Sequence, residues 1–342
     1  MRLFDQEIAQ QQYVLSDTYS ANKDKIQDLA KEFCLNKYKG IALLGRGSSK
    51  NACWYFKYLV ETLVGLPVVF INPSVVALYN GKYDLKDFVL FAVSQSGNAQ
   101  DILQVVCQAN QYGTKTVAVT NDVNSPIAKA CQDVLCLNVG VERCVAATKT
   151  VLAQMTIFYA LAMALDGQNL VSIPISEGIE SLLNQKEQIY QIAQDFFAKD
   201  GDLFVLARGL SYVSAEEVAL KFKETCYLNA SSYSLSEFQH GPFALLQKGS
   251  RVLVFGNNDP TADSTAKLCK KIKDTQASLC VFSQDFGLVN KADCGRVLPK
   301  CEYFLTPFLQ IVAGQLLASG LSSKLGLNPD NPRNLNKITV TE

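Results

Sequence analysis

The sequence predicts an α/β protein made of two doubly wound parallel-sheet domains in tandem. Three observations lead there. From Lys39 onward, short continuous apolar strands alternate with helix-period segments, the pattern of βαβ units whose parallel sheet is covered on both faces. The order at Gly40–Ser49, apolar strand, Arg-Gly, one residue, Ser, then helix, returns at Asp202–Ser211, so one α/β unit is read twice. Finally, 342 residues are many for one core, and two domains are the natural division.

Taken in order, residues 1–34 form a polar, Gln-rich helical arm. The first domain, 35–165, contains strands at Ile41–Leu44, Leu66–Phe70, Phe88–Val93, Thr116–Thr120 and Val134–Leu137. Helices follow the first and third strands, reaching Val64 and Tyr112, and a turn with a short helix fills NDVNSPIAKAC. The domain closes on an apolar helix from Ala147 to Leu165. A linker with one amphipathic helix occupies 166–199. The second domain, 200–325, has strands at Asp202–Ala207, Arg251–Phe255 and Leu279–Phe282 and closes on a helix over Tyr303–Leu317. A tail, 326–342, completes the chain.

Composition narrows the function classes. With 48% apolar and 19% charged residues, the balance is that of an ordinary soluble protein. Thirty-two basic and thirty-two acidic residues cancel, leaving no electrostatic footprint for nucleic acid or an anionic membrane. Any anion must therefore be bound locally. The start, MRLFDQEIAQQQYVL, lacks the apolar core of a signal peptide. Val151–Leu165 is too short to span a bilayer and is interrupted by Gln154 and Thr156, so it reads as a buried helix. Eleven scattered cysteines without a CxxC read as reduced core thiols in a cytoplasmic protein. One histidine leaves little from which to build a zinc site, and neither a metal nor a cofactor is expected.

The stretch richest in chemistry runs from Glu216 to Pro242. Glu217, Lys221 and Glu224 stand at i, i+4 and i+7, on one helical face, while Val218, Leu220 and Phe222 lie on others. Such a face suits acid–base work on a polyol. It is equally a solvated stripe with a Glu→Lys pair. His240, the only histidine, follows 16 residues after Glu224 and can be structural or catalytic. Two Ser/Gly loops, Gly45–Ser49 and Ser94–Gly97, follow the first and third strands. Each sits where a helix N-terminus offers N–H groups to an anion. Each could also be a plain N-cap, but two at one crevice favour phosphate. No GxxxxGK[ST] loop is present.

GRGSSKNA, SQSGN, VERCVAATK, EVALKFKE, QHGP and PRNLNKITVTE, in that order, resemble the sugar isomerase (SIS) domain family. The likeness is strongest to its tandem branch, the isomerase half of glucosamine-6-phosphate synthases and the related deaminases. It covers the chain from residue 35 onward and implies two flavodoxin-like SIS domains. It implies phosphate binding by Gly47, Ser48, Ser49, Ser94, Gln95, Ser96 and Gly97, with Val145 and Ala147 near the substrate. Glu224 corresponds to the base that moves a proton between C1 and C2, its pKa needing to rise through partial burial. His240 corresponds to the group assisting ring opening, and Lys337 to the lysine that forms a Schiff base or stabilises the open chain. Glu217 and Lys221 would orient the sugar hydroxyls.

Two positions depart from the synthase pattern: Ala99 replaces a threonine and Ala147 a serine, each removing a hydroxyl from the ligand shell, and SQSGN without that threonine looks closer to the deaminases. The family also implies a homodimer with shared active sites. The synthases carry a glutaminase domain whose cysteine follows the initiator Met, whereas Arg2 follows Met1 here. The expected reaction is thus glucosamine 6-phosphate plus water to fructose 6-phosphate plus ammonia. A glucosamine-6-phosphate-forming subunit, a deglycase for a fructosyl-amino-acid phosphate and a non-catalytic phosphosugar sensor remain the alternatives.

Overall fold

The computed structural model describes residues 2–36, 38–199 and 201–337. They divide into two compact units, one of 13–142, 149–173 and 336–337, the other of 2–12, 143–148 and 174–335. The first helix, α1 (Leu3–Asn36), contributes its opening turns to the latter and the remainder to the former.

The first unit is a chain of βα repeats: β1 (Gly40–Gly45), α2 (Ser48–Leu63), β2 (Val68–Phe70), α3 (Pro73–Ala77), β3 (Phe88–Val93), α4 (Gln100–Gln111), β4 (Lys115–Thr120), α5 (Pro126–Ala130), β5 (Asp133–Cys136) and α6 (Lys149–Leu165). All five strands are parallel, in the order β2-β1-β3-β4-β5. Alternate strand residues feed two cores because successive side chains point to opposite faces. Ala42, Leu44, Leu90 and Ala92 pack with Ile102, Val105 and Val106 of α4. Phe91 on the opposite face meets Phe56 of α2 and Phe158 of α6, whose rings stack at 4.5 Å.

The edge strand β5 is covered rather than left open. Asn22 of α1 accepts the Cys136 N–H at 2.9 Å and donates to the Cys136 carbonyl at 2.7 Å. Thr18 donates to the Leu137 carbonyl at 2.6 Å. Side chains of the helical arm thereby satisfy backbone groups that would otherwise template another strand.

The second unit repeats the plan: α7 (Ser176–Asn184), α8 (Lys186–Ile192), β6 (Leu203–Ala207), α9 (Tyr212–Cys226), β7 (Ala230–Ser234), α10 (Leu235–Phe238), β8 (Arg251–Phe255), α11 (Ala262–Asp274), β9 (Ser278–Ser283), α12 (Phe286–Val289), β10 (Cys294–Val297) and α13 (Thr306–Lys324). Its parallel sheet runs β10-β9-β8-β6-β7, the order of the first sheet with each strand replaced by its counterpart. Two doubly wound sheets in tandem are what the sequence predicts.

Four details differ from the sequence reading. The linker contains α7, α8 and a π-helical turn, Ala193–Phe197, in place of one helix. The strands β7 and β10 were not expected: both lie at sheet edges, and their residues are too polar or too few to stand out. The short α3 also lacked a periodic signal. The closing helix starts at Thr306, with Pro307 in its first turn, and extends to Lys324. Among the described residues no helix is long and apolar enough to cross a membrane.

Helix α9 is set by α13. Gly314 of α13 is buried, and a Cβ there would overlap Val218 of α9. Gly314→Ala should force the helices apart and cost about 1–3 kcal/mol. Chemical denaturation would measure this, and Val218→Ala in the same chain should recover most of the loss.

Candidate active site

The face of α9 is not solvated. Glu217 and Lys221 are both 0% exposed, and only Glu224 reaches solvent, its side chain 20% exposed. Lys221 Nζ lies 3.3 Å from Glu217 Oε1 and 2.5 Å from Glu224 Oε2. Burial works against the ammonium, but the adjacent Glu224 and Glu217 carboxylates outweigh it and hold the Lys221 pKa above its ordinary value. Lys221 is therefore a fixed cation. The arrangement presents one accessible carboxylate, Glu224, backed by an ammonium that keeps its charge. The helix stops at Tyr227, whose φ of 56° turns the chain out of the helix toward β7.

His240 follows α10, its N–H bonded to the Glu237 carbonyl at 2.9 Å. Gly241 at φ 141° and Pro242 then start a 3₁₀ turn. The imidazole is exposed and joins none of the described contacts of Glu217, Lys221 or Glu224.

In the first unit the strand order reverses between β1 and β3, so the loops after these two strands flank the topological switch point. Gly45 and Val93 are register partners, and the loops leave the sheet side by side. Neither loop uses its serines as helix caps. The N-cap of α2 is Gly47 and that of α4 is Ala99, with no side-chain cap bond at either. The hydroxyls accept elsewhere instead. Ser94 Oγ takes the Gly97 N–H at 3.1 Å, and Ser96 Oγ the Asn98 N–H at 3.4 Å. Ser49 Oγ accepts from Gln154 Nε2 at 3.0 Å. A hydroxyl that accepts can still donate its own proton, so these bonds orient donors without consuming them.

Ser48 opens α2, half-buried, and the half-buried Gln95 accepts the Asn121 N–H at its carbonyl, 3.0 Å away. Gly97 has φ 65°, and a Cβ there would overlap Ser125 Oγ. The Arg46 guanidinium pairs with the buried Asp101 carboxylate, fastening the first loop to the first turn of α4.

Lys337 meets a different partner. Its Nζ is 2.6 Å from the buried Glu142 carboxylate, which also accepts from the Thr150 N–H at 3.1 Å and hydroxyl at 2.8 Å. Val145 and Ala147, both half-buried, fall in the 143–148 segment that packs with 174–335. Within that unit, Glu7 holds the segment by accepting the Arg143 and Cys144 N–H groups at 2.6 and 3.3 Å.

The SIS domain profile matches residues 34–164 and 196–311. The chain belongs to the SIS domain family. It is 31% identical to a glutamine–fructose-6-phosphate aminotransferase (isomerizing) of Aquifex aeolicus over 98% of this chain and 57% of that protein. The chain thus spans little more than half the length of that relative. Among solved structures, a candidate phosphosugar isomerase from Silicibacter pomeroyi superposes with a TM-score of 0.82 at 28% identity, over 96% of this chain and all of that one. The C-terminal domain of a glucosamine–fructose-6-phosphate aminotransferase from Francisella tularensis gives 0.85 at 23%, over 97% and 98% of the two chains. At that identity the second likeness shows the fold alone.

The two SIS units differ at their switch points. In the second, the loop after β8 reads Gly256-Asn257-Asn258-Asp259, and Asp259 accepts the Thr261 N–H at 2.7 Å. A carboxylate there repels phosphate. The serine donors belong to the first SIS unit.

Three residues of the site escaped the sequence reading: Gln154, Glu142 and Asp101. Gln154 was visible only as a polar interruption of an apolar helix. Burial to 1% exposure makes such a residue need a partner, which is Ser49. Glu142 lies inside the quoted VERCVAATK segment, but a single acidic residue carries no periodicity.

Lys221→Met should leave the fully buried Glu217 without its counter-ion and destabilise the protein by about 3–5 kcal/mol. Adding Glu217→Gln should return a large part of that in thermal or denaturant unfolding. An equal loss in single and double variants would mean that charge compensation does not govern this face.

Proposed function

We propose that this chain is a phosphosugar aldose–ketose isomerase acting as a deaminase, converting glucosamine 6-phosphate and water to fructose 6-phosphate and ammonia. The observation that carries the reading is the Glu217–Lys221–Glu224 face, where one accessible carboxylate is backed by a buried ammonium. Glu224 takes the proton from C2 of the open-chain amino sugar and returns it at C1. The product is a 2-imino ketose, and water at C2 then displaces ammonia. Lys221, 2.5 Å from Glu224, supplies positive charge as the enediol-like intermediate forms.

In this reading the phosphate is held by Gly47, Ser48, Ser49, Ser94, Gln95, Ser96 and Gly97, with the serine hydroxyl protons as donors. His240 moves the proton that opens the ring. Lys337 leaves Glu142 to meet the open-chain carbonyl, and Val145 and Ala147 border the sugar. Ala99 and Ala147, which lack the hydroxyls of the synthase pattern, support the deaminase direction. The working form is taken to be a cytoplasmic homodimer with shared sites.

A second reading has the same chemistry run toward glucosamine 6-phosphate, and the aminotransferase name of the Aquifex aeolicus relative favours it. An assay offering glucosamine 6-phosphate, galactosamine 6-phosphate, and fructose 6-phosphate with ammonium separates the two. Ammonia and fructose 6-phosphate released from the first substrate is the expected result. Net synthesis alone would reverse the assignment, and no turnover of any of the three would overturn it. Glu224→Gln should lower kcat by at least about 100-fold, the scale of a lost general base. Thermal stabilisation of that variant by the sugar phosphate should remain near wild type, and unaltered kcat would remove Glu224 as the base.

A further inference from the structure

A second chemically distinct place lies at the far edge of the β10-β9-β8-β6-β7 sheet. A cleft of about 580 Å³ opens there, lined by Gln191, Asp195, Phe196, Lys199, Cys294 and Arg296 among others. One wall includes residues of the π-helical turn Ala193–Phe197, a geometry uncommon in proteins and frequent at functional sites. Cys294 lines the cleft from the edge strand, half-buried. Its register partner on β9 is Cys280, which is fully buried.

The pairing brings the two thiols together. Register partners on neighbouring parallel strands lie ~4.8 Å apart and point to the same face. That spacing falls within the Cα separation of about 4.4–6.8 Å that a disulfide spans. The strand is pinned on both sides of the pair. The Asp293 N–H donates to the Leu279 carbonyl at 2.9 Å, and the Asp293 carboxylate accepts the Leu279 N–H at 2.7 Å. After it, the Leu298 N–H donates to the Ser283 carbonyl at 2.9 Å. Gly295, next to Cys294, has φ 152°, and a Cβ there would overlap the Val281 carbonyl oxygen, so only glycine lets the edge close onto β9.

We propose that Cys294 and Cys280 form an oxidisable pair. A peroxide-class oxidant entering the cleft converts the Cys294 thiol to a sulfenic acid, and Cys280 then closes a disulfide between β9 and β10. In the first step the Cys294 sulfur attacks one peroxide oxygen, an S–O bond forms, the O–O bond breaks and water leaves. In the second the Cys280 sulfur attacks the Cys294 sulfur, S–S forms, S–O breaks, and the departing hydroxide takes the Cys280 proton as water. Two thiols are oxidised by two electrons and one peroxide is reduced to two waters.

The surroundings divide the roles. A hydrogen bond from the Cys280 thiol holds the Cys294 pKa below its usual value, against the cost of burial and the nearby Asp293, with Lys199 assisting. Burial pushes the Cys280 thiol upward. The nucleophile is thus the sulfur facing the cleft, and the resolving sulfur is sealed behind it.

The test is peptide mapping of the full chain after brief exposure to hydrogen peroxide, quenching and alkylation without reductant. It needs no sugar turnover, so its outcome is separate from that of the proposed activity. Trypsin places Cys280 in peptide 274–291 and Cys294 in peptide 292–296. The expected product is these two joined, with a loss of about 2 Da that a dithiol reverses. The exposed Cys34 and Cys107 should still be alkylated. In Cys280→Ser the link should vanish, and a 1,3-dicarbonyl reagent should trap Cys294 as the sulfenic acid. Full alkylation of Cys294 after peroxide would overturn the proposal. So would reaction at Cys34 or Cys107 ahead of it, or passage of wild-type Cys294 to the sulfinic acid without a link.

Discussion

The second SIS unit depends on a cation with no access to water. Lys221 is sealed inside α9's packing, and removing an ammonium from water costs several kcal/mol before any partner repays it. Glu217 and Glu224 repay it from one turn on either side, at i−4 and i+3. Of the three side chains only Glu224 reaches solvent. A solvated Glu–Lys pair on a helix contributes only tenths of a kcal/mol and constrains nothing. Burial turns the same residues into a fixed cluster of paired charges. The close approach of α13 at Gly314 belongs to this constraint, because the helix carrying the charges must be held where solvent cannot reach its middle residue.

Duplication supplied two crevices, and local sequence gave them different characters. In both sheets the strand order reverses between the first and third strands of the unit, so both could offer a ligand site by topology. The first crevice is edged by Ser94 and Ser96 from one loop and Ser48 and Ser49 from the other. The second carries Asp259, with its side chain turned back onto Thr261. One fold thus carries a serine-edged crevice in one copy and a buried Glu–Lys–Glu helix face in the other, a difference that topology alone does not dictate.

The fold was legible because its strands are buried on both faces and read as unbroken apolar runs. Phe88–Val93 and Arg251–Phe255 have the limits read from sequence alone. Edge strands lose that signal. Ser231–Ser234 of β7 are half-buried and polar, and β10 is four residues long, so neither stands out from loop sequence. At the candidate site, the residue types and spacing of Glu217, Lys221 and Glu224 were legible, but their burial was not, because a charged stripe looks the same whether wet or dry. Gln154 and Glu142 illustrate the opposite loss. Their importance comes from partners 105 and 195 residues away, Ser49 and Lys337, and no local pattern encodes so distant a contact.

The helix starts at the first crevice extend this reasoning. Ala99 stands at the N-cap of α4, where a Ser, Thr, Asp or Asn side chain would contribute about 1 kcal/mol. Gly47 fills the same position on α2 with φ 53°, also without a cap bond. Serines are available within a few residues of both, yet they bond to neighbouring loop groups or to Gln154. Two helices whose N-cap residues make no side-chain cap bond forgo stability that a single substitution could supply. An anion suits such an arrangement, since it interacts favourably with both helix dipoles. On the proposed reading, stability absent from the unliganded loops is regained when the sugar phosphate binds. The local sequence rule broken at Ala99 then marks where binding energy is collected.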